Sequence, residues 1–329
     1  MKRKILITGG AGFIGSHLAE KLVDEGHSVI VLDSFITGSI NNVRHLIGRD
    51  NFQIYRHDVT EPYSVEVDYI YNLACPASPI HYQRNPMKTL LTCIHGTINA
   101  LDLAVKNKAR LLHTSTSEIY GEPAEHSQRE QSWGNVNSVG PRSCYAEGKR
   151  IAETLLVNYS KEYDVDIRIA RIFNTYGPRM QVDDGRVVSN FITQALGNKP
   201  ITIYGTGLQT RSFCFVSYLI EGLVGLMESD YSLPVNLGCP DERTIKEIAE
   251  LIIQLVNSRS SIMYGPVPKE DPVRRKPDTS LAKKVLDWRP KINIEDGLHE
   301  TIKYFQELWP APVFCTSCYE SISHIFSLS

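Results

Sequence analysis

The chain has 329 residues, 42% of them hydrophobic, enough to bury one large core or two unequal ones. Its 35 lysines and arginines nearly balance 37 aspartates and glutamates, and the net charge of -2 gives no global drive towards nucleic acid or an anionic membrane, leaving a small polar molecule as the expected partner. Seven cysteines, odd in number and scattered, predict reduced thiols in a cytoplasm rather than a disulfide framework.

The opening MKRKILITGG carries an apolar run too short for a signal segment or a membrane span, and no later run reaches spanning length. Lys4 to Thr8 reads as a buried strand, GGAGFIG as a glycine turn, and Ile14, Leu18 and Leu22 as the apolar stripe of a helix. Further strands are predicted to end at Asp33, Asp58, Ala74 and Ser115. Between the last two, Pro86 to Lys106 forms a helix with Leu90, Leu91, Ile94, Ile98 and Leu101 on one face. This alternation predicts an α/β fold of Rossmann type, a doubly wound parallel sheet, over residues 1–175. After Tyr176 glycine and proline punctuation shortens the elements, so a smaller substrate-binding lobe is expected over 176–310, with some chain crossing between the two and helices at Lys246 to Val256 and Ile294 to Leu308. The hydroxyl-rich tail, 311–329, is expected to be loosely ordered; its Cys315/Cys318 doublet lacks a second pair, and no metal site is expected.

Gly10, Gly12 and Gly15 follow a strand and open a helix, the context a dinucleotide fingerprint requires. Gly9, Phe13 and Ile14 complete a turn that lets the backbone approach a diphosphate at a helix N-terminus. Asp33, about twenty residues on, is placed to accept the ribose hydroxyls and to repel a 2′-phosphate, which favours NAD over NADP. Asp58, Val59 and Leu73 close the following strands at the same edge and are expected to touch the cofactor. Tyr145 and Lys149, four apart in CYAEGKR, share one face of a helix, where the ammonium can stabilise a phenolate.

In this order, TGGAGFIG, Asp33, the Thr116 hydroxyl and the Tyr145/Lys149 pair resemble the extended short-chain dehydrogenase/reductase family. The resemblance implies an enzyme in which Thr116 and Tyr145 hydrogen-bond a sugar hydroxyl while NAD takes hydride from the same carbon, and in which Lys149 holds the ribose. LACPASPIHY, STSEIYGEP, WGNVNSVGPRSCYAEGKR, ARIFNTYGPRM, DGRVVSNF, GLQTRSFCFV and DPVRRKPD are similar to the branch that decarboxylates UDP-glucuronate. That similarity adds Glu118 and Arg275 as catalytic groups. It makes Tyr82, Arg142, Asn174, Val188, Tyr204 and Arg211 substrate contacts, and it implies a homodimer packed through two long helices. Ser117 stands where 4,6-dehydratases of the family carry an aspartate; a hydroxyl there can donate to a substrate carboxylate that a second carboxylate would repel. A 4-epimerase, a 4,6-dehydratase and a silent NAD-binding sensor or scaffold are the alternatives. Ser39, Cys93 and Ala146 depart from the family's usual arginine, asparagine or serine, and aspartate.

Overall fold

The computed structural model describes residues 2–267 and 274–309; the tail and its cysteine doublet lie outside them. The chain begins with β1 (Lys4–Thr8), α1 (Phe13–Asp24), β2 (Ser28–Asp33), β3 (Phe52–Arg56) and β4 (Tyr69–Asn72). It continues through α2 (Pro79–Arg84), α3 (Pro86–Asn107), β5 (Arg110–Thr116), α4 (Ser143–Tyr163) and β6 (Ile167–Ile172). Next come β7 (Thr175–Tyr176), α5 (Val187–Leu196), β8 (Ile201–Tyr204), β9 (Thr210–Ser212), β10 (Cys214–Phe215), α6 (Val216–Glu228) and β11 (Pro234–Leu237). The remaining elements are β12 (Glu242–Thr244), α7 (Ile245–Val256), β13 (Ile262–Gly265), β14 (Arg274–Arg275), α8 (Ser280–Leu286) and α9 (Ile294–Glu307).

Among the described residues seven strands form a parallel sheet in the order β11-β6-β5-β4-β1-β2-β3. Alternation along each strand feeds both faces. Ile5 and Ile7 join the core beneath α1 and α6, and Leu6 points the other way, into a core with Leu32, Ile70, Leu111 and Ile169 that α3 and α4 cover through Ala100, Leu101, Ala104 and Leu156. The edge strand β11 comes from beyond residue 176, so the chain crosses back into the sheet after building part of the lobe.

Two features of the lobe set up the site. β9 pairs with β12 antiparallel and with β14 in parallel, and Arg211 is the register partner of both Arg243 and Arg275. Like charges opposite one another on adjacent strands destabilise a sheet unless anions lie close by. The Pro178–Gln181 segment ties the lobe to the first domain. His17 of α1 bonds the Pro178 carbonyl through Nε2 at 2.9 Å, Arg179 pairs with Glu20 at 2.6 Å, and Gln181 donates to the Thr37 carbonyl at 2.7 Å.

Burial makes protonating His17 costly and, with the Arg179 charge beside it, outweighs the bond to the Pro178 carbonyl, which favours the charged ring, so the pKa falls from the usual 6.5 to about 4. Between those values the unfolded chain binds the proton and the folded chain does not, so stability falls as pH drops from 6.5 to about 4. The loss is about 2 kcal/mol after discounting for the residue's partial exposure. Urea unfolding of His17→Gln against the parent at pH 7 and pH 5 should show a smaller acid loss in the variant; an equal loss removes His17 from the acid response.

Candidate active site

One cavity of about 660 Å³ runs from the glycine turn across the C-terminal edge of the sheet into the lobe. Open parallel sheets place ligands at this edge. Gly9 sits at φ +71°, and a Cβ there would lie 2.9 Å from the Ala74 backbone. A Cβ on Gly15 would come within 2.2 Å of the Gly9 carbonyl oxygen. Gly12 is the N-cap of α1 and no side chain caps the helix, so its first-turn N–H groups are left for a ligand. With Phe13 and Ile14 these three glycines line the cavity; Gly10 instead packs on the Val31 methyls, where a Cβ would be 2.6 Å away.

Asp33 lies at the end of β2, and its carboxylate accepts from the backbone N–H of Ala11 at 2.9 Å and of Phe35 at 2.8 Å. Burial raises its pKa and those two bonds oppose the rise. The acid is thereby fixed to the turn with lone pairs left over, which suits ribose hydroxyls. Asp58, Val59 and Leu73 also line the wall. Burial pushes the Asp58 carboxyl up, but Lys88 and Thr60 outweigh it and hold the group below its usual value. Lys88 was not among the residues singled out from the sequence: it lies on the polar side of the α3 stripe, and only the fold turns it to the cavity. Ser39 does not line the cavity; its N–H donates to the Ala11 carbonyl and its hydroxyl caps a short 3-10 turn.

β5 delivers Thr116 and then passes into a 3-10 turn, Ser117–Tyr120. Glu118 N–H donates to Thr116 Oγ1 at 3.2 Å, and Thr116 is hydrogen-bonded to Tyr145. With one lone pair taken by the N–H, the threonine proton is free to point at the phenol oxygen. Lys149, one turn along α4, is buried and donates from Nζ to the Thr114 carbonyl at 2.7 Å. Burial first, then Cys75 and Glu118, hold the Tyr145 phenol well above its ordinary value, and one of the three Lys149 N–H donors is engaged with the Thr114 carbonyl.

Glu118 occupies a cluster of charges. Its Oε1 is 3.7 Å from both Arg142 Nη1 and Arg275 Nη1, and Oε2 accepts from the Tyr82 hydroxyl at 3.4 Å. All three charged side chains are at most 17% exposed, so the attraction is little screened by solvent. Ser117 lines the cavity beside them, as do Asn174, Val188, Tyr204 and Arg211.

Tyr82 departs from the expectation that it contacts the substrate. It is fully buried and does not line the cavity; its ring stacks on Tyr145 at 5.1 Å and an interplanar angle of 3° while its hydroxyl reaches Glu118. Tyr82 thus positions two site residues from behind rather than touching a ligand. The aromatic of LACPASPIHY reads as a contact in sequence because nothing local shows that α2 turns it inward. Tyr82→Phe keeps the stack and loses the bond to Glu118. A fall in kcat of roughly tenfold with KM little changed is expected from a single hydrogen bond to a charged group, measured by initial rates; an unchanged kcat shows that the bond does not hold Glu118.

Residues 6–301 match the family described as GDP-mannose 4,6 dehydratase, and the chain belongs to that family, a part of the extended short-chain dehydrogenase/reductases. Among characterised relatives, it is 56% identical over 304 residues to UDP-glucuronic acid decarboxylase 1 of Danio rerio, covering 92% of this chain and 73% of the relative. It is 54% identical over 303 residues to UDP-glucuronic acid decarboxylase 1 of Arabidopsis thaliana, covering 92% and 70%. Among solved structures, UDP-glucuronic acid 4-epimerase from Bacillus cereus in complex with UDP-glucuronic acid and NAD matches with a TM-score of 0.84 at 28% identity, over 93% of this chain and 100% of that one.

Proposed function

We propose that the protein decarboxylates UDP-glucuronate to UDP-xylose through a 4-keto intermediate, using NAD that it reloads in each turnover. The observation that carries this reading is the Glu118, Arg142 and Arg275 cluster set against Tyr145 in one cavity. Simple epimerisation at C4 needs the tyrosine and threonine; a buried carboxylate held between two guanidiniums has its use where a substrate carboxylate must be bound and then lost.

Gly9, Gly12, Phe13, Ile14 and Gly15 would hold the NAD diphosphate at the α1 N-terminus, Asp33 its ribose, and Asp58, Val59 and Leu73 its adenine side. Bound NAD would supply the acceptor for the C4 hydride and the source of its return, and its oxidised ring would bring positive charge towards Tyr145. Tyr145 takes the proton of the C4 hydroxyl, a task for which burial has set its pKa too high until positive charge arrives. Lys149, held by Thr114, keeps the base of the site fixed and is placed for the nicotinamide ribose.

Oxidation makes the sugar a β-keto acid, whose carboxylate can leave because the electron pair passes into the C4 carbonyl. Thr116 and the now protonated Tyr145 donate to the enolate oxygen as its charge grows. Arg275 and Arg142 hold the carboxylate, Ser117 donates to it, and Glu118 relays a solvent proton to C5. Arg211, paired in register with Arg275, faces the diphosphate with Asn174, Val188 and Tyr204 around the uridine end. The reading includes a Rossmann domain over 1–175 and a substrate lobe over 176–310. It also includes a homodimer through α3 and α4, supported by exposed Met87, Leu91, Val105 and Ile151 on those helices. A cytoplasmic setting is supported by the free thiols of Cys75, Cys93, Cys144, Cys214 and Cys239. No helix of the described residues is long and apolar enough to cross a membrane.

Incubation with NAD and UDP-glucuronate should release carbon dioxide and one equivalent of UDP-xylose without net NADH. UDP-galacturonate with no gas would make it an epimerase, and an unchanged substrate pool a binding protein.

A further inference from the structure

Two thiols meet in the catalytic wall. Cys75 follows β4 and lines the cavity, whereas Cys93, in the middle of α3, is 1% exposed and lies directly behind it, with the two Sγ atoms 3.4 Å apart. Gly148 of α4 leaves the room for this pair: a Cβ there would sit 3.0 Å from Cys93 Sγ. The geometry points to a site of covalent modification, a Cys75/Cys93 dithiol that low-molecular-weight disulfides reach through the cavity and convert to an internal disulfide that stops turnover.

The chemistry balances on the residues present. Cys75 Sγ attacks one sulfur of the small disulfide, forming a mixed disulfide and expelling a thiolate that takes the Cys75 proton. Cys93 Sγ then attacks Cys75 Sγ, and the second thiolate leaves with the Cys93 proton. The protein dithiol is oxidised by two electrons and the reagent is reduced to two thiols. Only Cys75 meets the cavity, which sets the order of attack, and the resolving sulfur is already in contact. In the reduced pair the Cys75 S–H donates to Cys93, which holds Cys93 below the ordinary thiol range and Cys75 above it; once Cys75 has formed the mixed disulfide that bond is gone, and the Lys149 charge remains to favour the Cys93 thiolate as the resolving group.

Bond formation requires the sulfurs to close from contact to about 2.05 Å. That movement draws the chain after β4 towards α3, beside Tyr145, whose phenol senses charge on this pair, and Lys149, whose charge acts on both thiols. The 17 residues between the cysteines include α2 and Tyr82, so the stack behind Tyr145 is carried along. Thiol pairs of this kind elsewhere act as reversible covalent switches, but here the effect is local: it distorts the wall on which the phenol rests.

The test treats the full chain with bis(2-hydroxyethyl) disulfide, maps its cysteines by mass spectrometry and assays decarboxylation before and after dithiothreitol. Expected are a Cys75–Cys93 linked peptide with no retained mercaptoethanol, a loss of activity of at least tenfold, and recovery on reduction. Cys93→Ser should keep its untreated activity and stop at a mercaptoethanol adduct on Cys75. The proposal is overturned by a stable adduct on Cys75 of the parent chain, by a link confined to other cysteines, by a Cys75 that stays reduced, or by a link that leaves activity intact. The activity arm rests on the decarboxylase reading and the peptide map does not, so a chain that links Cys75 to Cys93 yet never decarboxylates would refute that reading alone. Mapping of the parent chain stands even if the variant fails to fold.

Discussion

Replacing Tyr145 with phenylalanine is expected to lower kcat by about 10³-fold, within the range for a positioned acid–base group, while leaving NAD titration unchanged. The variant should fold, because the ring that stacks on Tyr82 is retained and only the hydroxyl bonded to Thr116 is lost. The hydroxyl is needed twice, first to accept the C4 proton and then to stabilise the enolate oxygen, and no other described group shares its position against Thr116. Steady-state carbon dioxide release, with cofactor binding followed by fluorescence, is the measurement. A variant that keeps a tenth of the parent's kcat would remove Tyr145 from the chemistry.

Glu118→Ala should cost about 100-fold or more in kcat, and its KM should move the other way. In the folded protein Glu118 neutralises part of the field of Arg142 and Arg275, each 3.7 Å from the same carboxylate oxygen. Without it the Glu118 carboxylate no longer competes with an anionic substrate for the two guanidiniums, so UDP-glucuronate binds more tightly and turns over more slowly. A merely structural role would raise KM or lower stability instead. Glu118→Gln, which keeps the bond to Tyr82 within reach, should restore stability but not kcat.

The first half of the fold was legible because each buried strand is a continuous apolar run with its own turn. β1 to β5 fall on the predicted runs, though β3 ends at Arg56 rather than Asp58, β4 at Asn72 rather than Ala74, and β5 at Thr116 rather than Ser115. β11 was not legible: PVNL is four residues set among turn formers, and only its pairing to β6 makes it a sheet strand. By pattern alone Arg274–Arg275 reads as solvated charge, and only the family resemblance singled out Arg275; as β14 the pair lies in register with β9, and Arg275 reaches Glu118.

The same limit holds within the site. Spacing alone placed Tyr145 and Lys149 on one helical face, which α4 bears out. It could not show that Lys149 also donates to the Thr114 carbonyl, since that depends on the distance between α4 and β5. Tyr82 and Cys93 gave no local signal for their partners, because the contact of each is made across elements, Tyr82 with Glu118 and Cys93 with Cys75. Sequence patterns report periodicity and motif order; convergence of distant side chains is a property of packing.

The central claim is that carbon dioxide leaves only while C4 is a ketone. UDP-glucuronate carrying deuterium at C4, turned over in ordinary water and followed by NMR, should give UDP-xylose with the deuterium still at C4 and a solvent hydrogen at C5, with carbon dioxide released more slowly than from unlabelled substrate when hydride transfer limits the rate. Loss of the C4 deuterium to solvent, or decarboxylation at full rate by protein stripped of NAD, would contradict it.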